Sequence, residues 1–146
     1  MAKTTIVVGV DGSENSARAL AWCREVAPGL DAEVVAVHAH GLPSYTLPMY
    51  DVPAVATHEQ EWRDEARRAL EEEWIVPLGD VPHRALVVDG TPAHVLMQVA
   101  DKEDAAMIVV GSRGRGGFAE LLLGSVSHQL AHHTTRPLVI VPPEVR

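Results

Sequence analysis

Short runs of apolar, often β-branched residues recur along the chain and alternate with segments of helical periodicity. Such runs suit strands that are buried on both faces of a parallel sheet. Five predicted strands follow from them: Thr4–Val10, Glu33–Ala39, His83–Val88, Ala106–Val110 and Leu138–Val141.

Helix-start signals follow the first and third predicted strands. Ser13 is a good N-cap for a helix that is predicted to run to about Val26. Thr91 is placed to cap a later helix, with Pro92 at its first position and an end near Glu103. Another helix is predicted between the fourth and fifth strands.

The longest predicted helix covers Thr57–Trp74. Trp62, Ala66, Leu70 and Trp74 recur every four residues, which predicts a buried stripe. The preceding Gly41–Ala54 segment contains three prolines, and their spacing predicts a loop without helix, either functional or mobile.

This alternation of strands and helices predicts an α/β fold with a doubly wound parallel sheet and helices on both faces. No internal repeat, linker or low-complexity tract interrupts it, so residues 1–146 are predicted to form a single domain.

Composition and charge narrow the function. The formal net charge of −8 and the pI near 5.4, with no large basic cluster, speak against a nucleic-acid partner. A phosphate ligand would need local compensation by amide groups, arginines or a metal ion. The single cysteine, Cys23, excludes an intrachain disulfide and is interpreted as a packed residue. With no signal-like or membrane-spanning apolar run, the expected location is the cytoplasm, with no membrane partner.

The segment after the fourth strand is rich in glycine. Gly111, Gly114, Gly116 and Gly117 stand within seven residues, so successive backbone amides can line an anion-binding nest. The remaining members of this candidate site are Ser112, Arg113 and Arg115, and the two arginines would add positive charge.

A second candidate phosphate contact lies downstream, at Gly124, Ser125, Val126 and Ser127. These residues suit the start of the last helix, where unpaired amides and the helix dipole attract phosphate. The hydroxyls of Ser125 and Ser127 could bond phosphate oxygens or hold a water on Mg²⁺.

Two known phosphate motifs are excluded here. No lysine follows the glycines as a P-loop requires, and Ala119 stands where the dinucleotide fingerprint needs its last glycine. A flexible glycine loop without a ligand is the plain alternative.

The spacing Gly111-x2-Gly114-x9-Gly124-Ser125 resembles the G-x2-G-x9-G-[ST] signature of the ATP-binding branch of the universal stress protein family. Further similar stretches are spread along the whole chain: VVGVDGS, VVAVHA, VVDGTPAHVL, IVVGSRGRGG and RPLVIVP.

This resemblance implies a ligand and its contacts. Gly9 and Asp11 would border the adenosine of ATP, and the backbone of Ala39 would bond adenine. Residues 111–117 would wrap the ribose and phosphates, and residues 124–127 would close the triphosphate pocket with a divalent cation, which we take to be Mg²⁺. The implied function is a nucleotide-dependent stress-response regulator.

The resemblance also implies five parallel strands in the order 3-2-1-4-5, the adenine nucleotide alpha hydrolase-like arrangement. Family members commonly dimerise, and a homodimer through strand five would cover its apolar edge. The strand residues concerned are Leu138, Val139, Ile140 and Val141.

Other functions stay open. Cyclic AMP or AMP could replace ATP, and slow ATP hydrolysis is conceivable with Asp11 as base, although no catalytic residue is assigned. A serine hydrolase lacks its GxSxG elbow. His38 with His40, and His128 with His132, have spacings that place each pair on one face, but no nearby carboxylate set is visible in sequence to complete a metal site.

Overall fold

The computed structural model describes residues 3–41, 52–113 and 123–143, with only the backbone described for 52–57. Its strands and main helices, in chain order, are β1 Thr4–Gly9, α1 Glu14–Val26, β2 Ala32–His40, α2 Val52–Ala69, β3 His83–Asp89, α3 Pro92–Lys102, β4 Met107–Gly111, α4 Ser125–His133 and β5 Leu138–Val141. All five predicted strands are therefore confirmed, with ends that differ by at most one residue.

The five strands form one parallel sheet in the order β3-β2-β1-β4-β5. β1 lies at its centre, because the chain first winds outward through β2 and β3 and then returns to place β4 on the other side. The point where the winding reverses lies between β1 and β4, which is where an open α/β sheet usually binds ligands.

Two hydrophobic cores lie on opposite faces of the sheet. In β1, Ile6 and Val8 point into the core beneath α1, while Val7 points into the core beneath α3 and α4. All three side chains are fully buried, which stabilises the fold by roughly 1.5–3 kcal/mol each. Alternate residues of one strand thus anchor helices on both faces, as predicted.

Helix α2 differs from its prediction at both ends. It begins at Val52 rather than Thr57, so the expectation that no helix reaches Ala54 is wrong. Pro53 falls in the first turn, where its missing amide costs no helical hydrogen bond. The rest of the predicted Gly41–Ala54 loop, residues 42–51, lies outside the described residues.

The buried stripe predicted along α2 is also partly wrong. Leu70 is fully buried, but Trp62 is 46% exposed. With 3.6 residues per turn, an i+4 repeat drifts by about 40° at each step, so Trp62 lies about 80° round the helix from Leu70. Beyond Leu70, a π-helical turn at Leu70–Trp74 changes the side-chain phase again.

No helix within residues 3–41, 52–113 and 123–143 combines the length and the apolar character that a membrane span requires.

Candidate functional site

The turn after β1 is fixed by its own side chains. An Asp11 carboxylate oxygen accepts a hydrogen bond from the Ser13 amide at 2.9 Å, and Gly12 takes a positive φ of 81°. Ser13 then caps α1, because its hydroxyl accepts from the Ser16 amide at 3.2 Å. The predicted cap is confirmed, and Asp11 is held at the carboxyl end of the central strand.

Two glycines allow elements to approach closely around this turn. A Cβ on Gly111 would lie 2.8 Å from the main-chain oxygen of Asn15 in α1. A Cβ on Gly9 would lie 2.9 Å from Leu96 Cδ1, on the opposite face. The end of β4 and the first turn of α1 are therefore in contact across the point where the winding reverses.

The start of α4 is tied to the end of β4 through one carbonyl. The Ser112 oxygen accepts from the Gly124 amide at 2.6 Å and from the Ser127 hydroxyl at 2.9 Å. The two chain segments predicted to contact phosphate thus lie side by side, although residues 113–123 separate them in sequence.

The first turn of α4 presents amide groups that the helix itself does not use. Its first hydrogen bond runs from the His128 amide to the Gly124 carbonyl at 3.0 Å, and Gly124 has no side chain to act as a cap. The amides of Ser125, Val126 and Ser127 precede that bond and belong to the positive end of the helix dipole. An anion at this end would meet both amide donors and a favourable dipole.

Two polar atoms next to this helix start are buried and lack hydrogen-bond partners among the described residues. They are Ser112 Oγ and Arg113 Nε. Ser112 is only 4% exposed. A buried polar group without a partner costs about 1–3 kcal/mol, so two of them in successive residues indicate a place for a polar ligand.

The role expected of Ser127 changes with the structure. The residue is 2% exposed and its hydroxyl donates to the Ser112 and Gly124 carbonyls, so this hydroxyl holds two turns together. Only its amide remains for the predicted phosphate contact. Ser125, by contrast, is exposed at the first position of the helix.

The end of β2 contributes main-chain groups. The Val37 carbonyl accepts from the Val10 amide, and the His40 carbonyl accepts from the Gly90 amide beside β3. Because hydrogen-bonding direction alternates along a strand, the amide and carbonyl of Ala39 point towards the β1 side. β1 ends at Gly9, which pairs with Val37, so Ala39 extends past the last strand partner on that side.

His38 supports the same region. Its Nδ1–H donates to the Val10 carbonyl at 2.9 Å, and its ring meets Trp74 edge-on with centroids 5.1 Å apart. Trp74 was predicted as a core residue only. Its position beside the Asp11 turn could not be read from helical periodicity.

The candidate residues thus divide into three groups: those at the ends of β1 and β2, those at the end of β4 and the start of α4, and those outside the described residues. Gly9 and Asp11 lie at the end of β1, and Ala39 lies at the end of the neighbouring β2. The β4 end and the α4 start are joined directly. The remaining predicted contacts, Gly114, Arg115, Gly116 and Gly117, lie outside the described residues.

Two other side-chain predictions are confirmed. Cys23 is fully buried in the core beneath α1, and its burial raises the pKa of the thiol to about 12, which argues against a nucleophilic role. His128 and His132 do share one face of α4, with ring centroids 4.6 Å apart.

The sequence showed no carboxylate set near the histidines that could complete a metal site, but the structure brings two carboxylates to His40. Glu59 and Asp89 reach it from α2 and from the end of β3.

Comparison with known proteins identifies the family. The sequence profile of the universal stress protein family matches residues 3–142. Universal stress protein YxiE of Bacillus subtilis is 30% identical over 145 residues, covering 93% of this chain and 97% of YxiE. Universal stress protein Rv2005c of Mycobacterium tuberculosis is 36% identical over 139 residues, covering 92% of this chain and 44% of Rv2005c. The chain spans about half the length of several curated relatives that it matches.

Solved structures share the fold. A universal stress protein in complex with cAMP has a TM-score of 0.63 and 26% identity, covering 97% of this chain and 98% of that one. The universal stress protein of Archaeoglobus fulgidus in complex with dAMP has a TM-score of 0.61 and 23% identity, covering 97% and 99%. The sheet order, the glycine-spaced turn after β4 and the profile match over residues 3–142 together mean that this chain belongs to the universal stress protein family.

Proposed function

We propose that this protein is a nucleotide-dependent stress-response regulator that binds ATP at the ends of β1, β2 and β4. The observation that carries the proposal is the meeting of the β4 end with the α4 start. Amides of Ser125 to Ser127, the buried Ser112 Oγ and the buried Arg113 Nε lie in or beside that junction. This donor set suits the anionic oxygens of a phosphate chain.

The proposed adenosine contacts lie on the other side of β1. Asp11 is fixed by the Ser13 amide at the end of β1 and would face the ribose or the base. The main-chain groups of Ala39 point to the β1 side and would hydrogen-bond the adenine edge. A planar base read by main-chain groups needs no charged side chain, which agrees with the acidic character of the chain.

A divalent cation would assist this binding. With a net charge of −8, the protein repels a triphosphate at long range, and Arg113 is the one proposed cationic contact within the described part of the site. Mg²⁺ is usually held by phosphate oxygens with one or two protein groups. We assign the exposed hydroxyl of Ser125 as its protein contact, directly or through water.

The related structures with cAMP and dAMP support an adenine nucleotide in general, and they make a monophosphate the main alternative. The spacing Gly111-x2-Gly114-x9-Gly124-Ser125, which resembles the signature of the ATP-binding branch of the family, favours ATP.

We expect regulation rather than rapid catalysis. A fast ATPase positions its nucleophile and clamps the leaving charge, commonly with a lysine. Among the described residues of the proposed site no lysine is present, and Asp11 already accepts a hydrogen bond from Ser13. Slow hydrolysis with Asp11 as base is the enzymatic alternative.

A nucleotide titration tests the proposal. Trp74 should report binding, because it contacts His38, which in turn bonds the chain next to Asp11. We expect Mg-ATP to bind at least about tenfold more tightly than AMP or cAMP, a difference that one additional charge-assisted hydrogen bond can supply. Calorimetry of the same ligands checks the fluorescence, and Trp74→Phe should remove the optical signal without changing the calorimetric affinity. Equal affinities for ATP and AMP would exclude a triphosphate site, and no binding at all would exclude the function.

The same proposal includes a cytoplasmic homodimer formed through β5. This strand is at the end of the sheet order, and its four residues are only half-buried. The carbonyls of Pro137 and Val141 accept bonds from β4, so odd-numbered residues face the sheet. The amides of Leu138 and Ile140 therefore point to the outer edge.

Hydrogen exchange should detect that dimer. We expect the amides of Leu138 and Ile140 to be protected at protein concentrations where sedimentation shows a dimer, and to lose protection on dilution. The amides of Val139 and Val141 face β4 and act as the internal control, since they should stay protected throughout. A monomer at every concentration, or outer amides that exchange freely in a dimer, would contradict pairing through β5.

A further inference from the structure

A second cluster of ligand-forming side chains lies at the β2–β3 end of the sheet. His40 is the last residue of β2, and Asp89, the last of β3, is its direct partner in the parallel register. Glu59 comes from α2, which packs against this part of the sheet. One donor atom from each residue lies within 4.8 Å of the other two.

The imidazole of this cluster has an unused nitrogen. His40 Nε2 is buried and finds no hydrogen-bond partner among the described residues. Leaving such an atom unpaired is costly, and a bound ion is one of its ordinary explanations. One ring nitrogen of His40 lies within 4.8 Å of an oxygen of both Glu59 and Asp89. Imidazole with two carboxylates forms a donor set that divalent transition metals accept.

Arg63 is the cation that these carboxylates currently bind. Its guanidinium lies 2.6 Å from an Asp89 oxygen and 3.6 Å from a Glu59 oxygen. Its Nε is buried without a partner among the described residues, so this arginine is only partly satisfied in the cluster. Two carboxylates against one guanidinium leave a net negative charge, which a divalent ion would neutralise.

We propose that His40, Glu59 and Asp89 form a zinc-type metal site. One imidazole nitrogen of His40 and one oxygen from each carboxylate would supply three ligands, and water would complete a four-coordinate shell. The donor atoms, which lie within 4.8 Å of one another, must approach to about 3.4 Å, the ligand–ligand separation of a tetrahedral zinc with ligands at about 2.0–2.2 Å. Because Glu59 and Asp89 side chains are about half exposed, they can make that movement while the guanidinium of Arg63 withdraws.

This site is separate from the proposed phosphate site. Its ligands come from β2, β3 and α2, whereas the phosphate contacts come from β4 and α4. Because Ala39, the proposed adenine contact, is the chain neighbour of His40, the metal site is tested on nucleotide-free protein with Zn²⁺ alone.

Zinc calorimetry on single variants tests the proposal. The background is His132→Gln, because His128 and His132 form a second, exposed pair that could also bind zinc. In this background we expect one equivalent of Zn²⁺ to bind. His40→Gln and Glu59→Gln should each weaken it by more than about tenfold, the effect that loss of even an outer-shell group has at metal sites. His94→Gln, at an exposed position on α3, is the matched control and should change nothing.

Arg63→Gln should change zinc affinity in the opposite direction, and it best distinguishes a metal site from a simple ion pair. Removing the competing cation should tighten zinc binding by about thirtyfold, as expected for a unit charge about 4 Å from a doubly charged ion in water. Zinc should also raise the melting temperature, since it joins α2 to two strands only in the folded state, and this rise should disappear in Glu59→Gln. Absence of zinc binding, or binding unaffected by His40→Gln and Glu59→Gln, would overturn the site and leave the cluster as an ion pair around Arg63.

Discussion

Replacing Ser125 with proline is expected to weaken Mg-ATP binding by about a hundredfold while leaving the melting temperature nearly unchanged. Ser125 is the first residue of α4, a position where proline is well tolerated because its missing amide has no helical partner. The preceding Gly124 has φ −77° and ψ 176°, an extended conformation that a following proline accepts. The substitution thus deletes an amide and a hydroxyl aimed at the ligand but no bond of the helix.

The expected hundredfold loss of Mg-ATP affinity follows from the loss of this amide and this hydroxyl. The proposed contacts are a hydrogen bond from the amide to phosphate and a contact from the hydroxyl to Mg²⁺. If each contributes about 1.5 kcal/mol, the lower value for a hydrogen bond to a charged group, losing both corresponds to roughly a hundredfold in affinity. Ser125→Ala removes only the hydroxyl and should weaken binding by about tenfold. Calorimetric titration of both variants, together with their thermal unfolding, separates the amide from the hydroxyl. A proline variant that binds ATP like the parent protein would show that phosphate does not reach the start of α4. The chain offers its own precedent for the substitution, since α3 already begins with Pro92.

Substituting alanine for Gly111 is expected to destabilise the fold by about 1–3 kcal/mol and to weaken nucleotide binding as well. The new Cβ would lie 2.8 Å from the main-chain oxygen and 2.9 Å from the carbonyl carbon of Asn15. Trimming the Asn15 side chain could not relieve this contact, because its two shortest distances are to backbone atoms. Overpacking of this kind moves whole elements and costs energy in that range. Here it would push α1, and with it the Asp11 turn, away from the end of β4.

Gly29→Ala is the matched control for this experiment. Nothing lies within 4 Å of a Cβ built at Gly29, so its substitution should change stability by no more than about 0.5 kcal/mol. Urea unfolding of the two variants gives the comparison, and a chain of this size should lose about 2–4 °C in melting temperature for each kcal/mol. Equal stability of Gly111→Ala and Gly29→Ala would mean that β4 and α1 are not in close contact.

The strands were predictable because each is a short apolar run whose two faces are both buried. Val7 and Val8, for example, face opposite cores, so no polar alternation interrupts the pattern. The helix starts at Ser13 and Thr91 were equally local, and both residues occupy N-cap positions. Only Ser13 makes a side-chain cap hydrogen bond, so the cap predicted at Thr91 is confirmed in position but not in its hydrogen bond. The start of α2 was predicted wrongly because the effect of proline depends on its position. Proline breaks a helix interior but is accepted in the first turn, where Pro53 lies.

The candidate site was less predictable, since it combines distant segments. The glycine and serine spacing indicated both halves of the phosphate contact, but nothing local shows that the Ser127 hydroxyl turns inward to Ser112 rather than outward. The His40 cluster was missed for the same reason. Its carboxylates come from α2 and from the end of β3, and only the pairing of β2 with β3 brings Asp89 beside His40.

The Ser112 carbonyl has a consequence for how this protein could diversify. It receives both the Gly124 amide and the Ser127 hydroxyl, so the end of β4 and the start of α4 are joined at one carbonyl. We expect substitutions or changes of length within residues 114–122 to leave the register of α4 unchanged. Ligand preference in such a protein can therefore evolve by replacement of one segment, while the sheet and its helices are inherited unchanged.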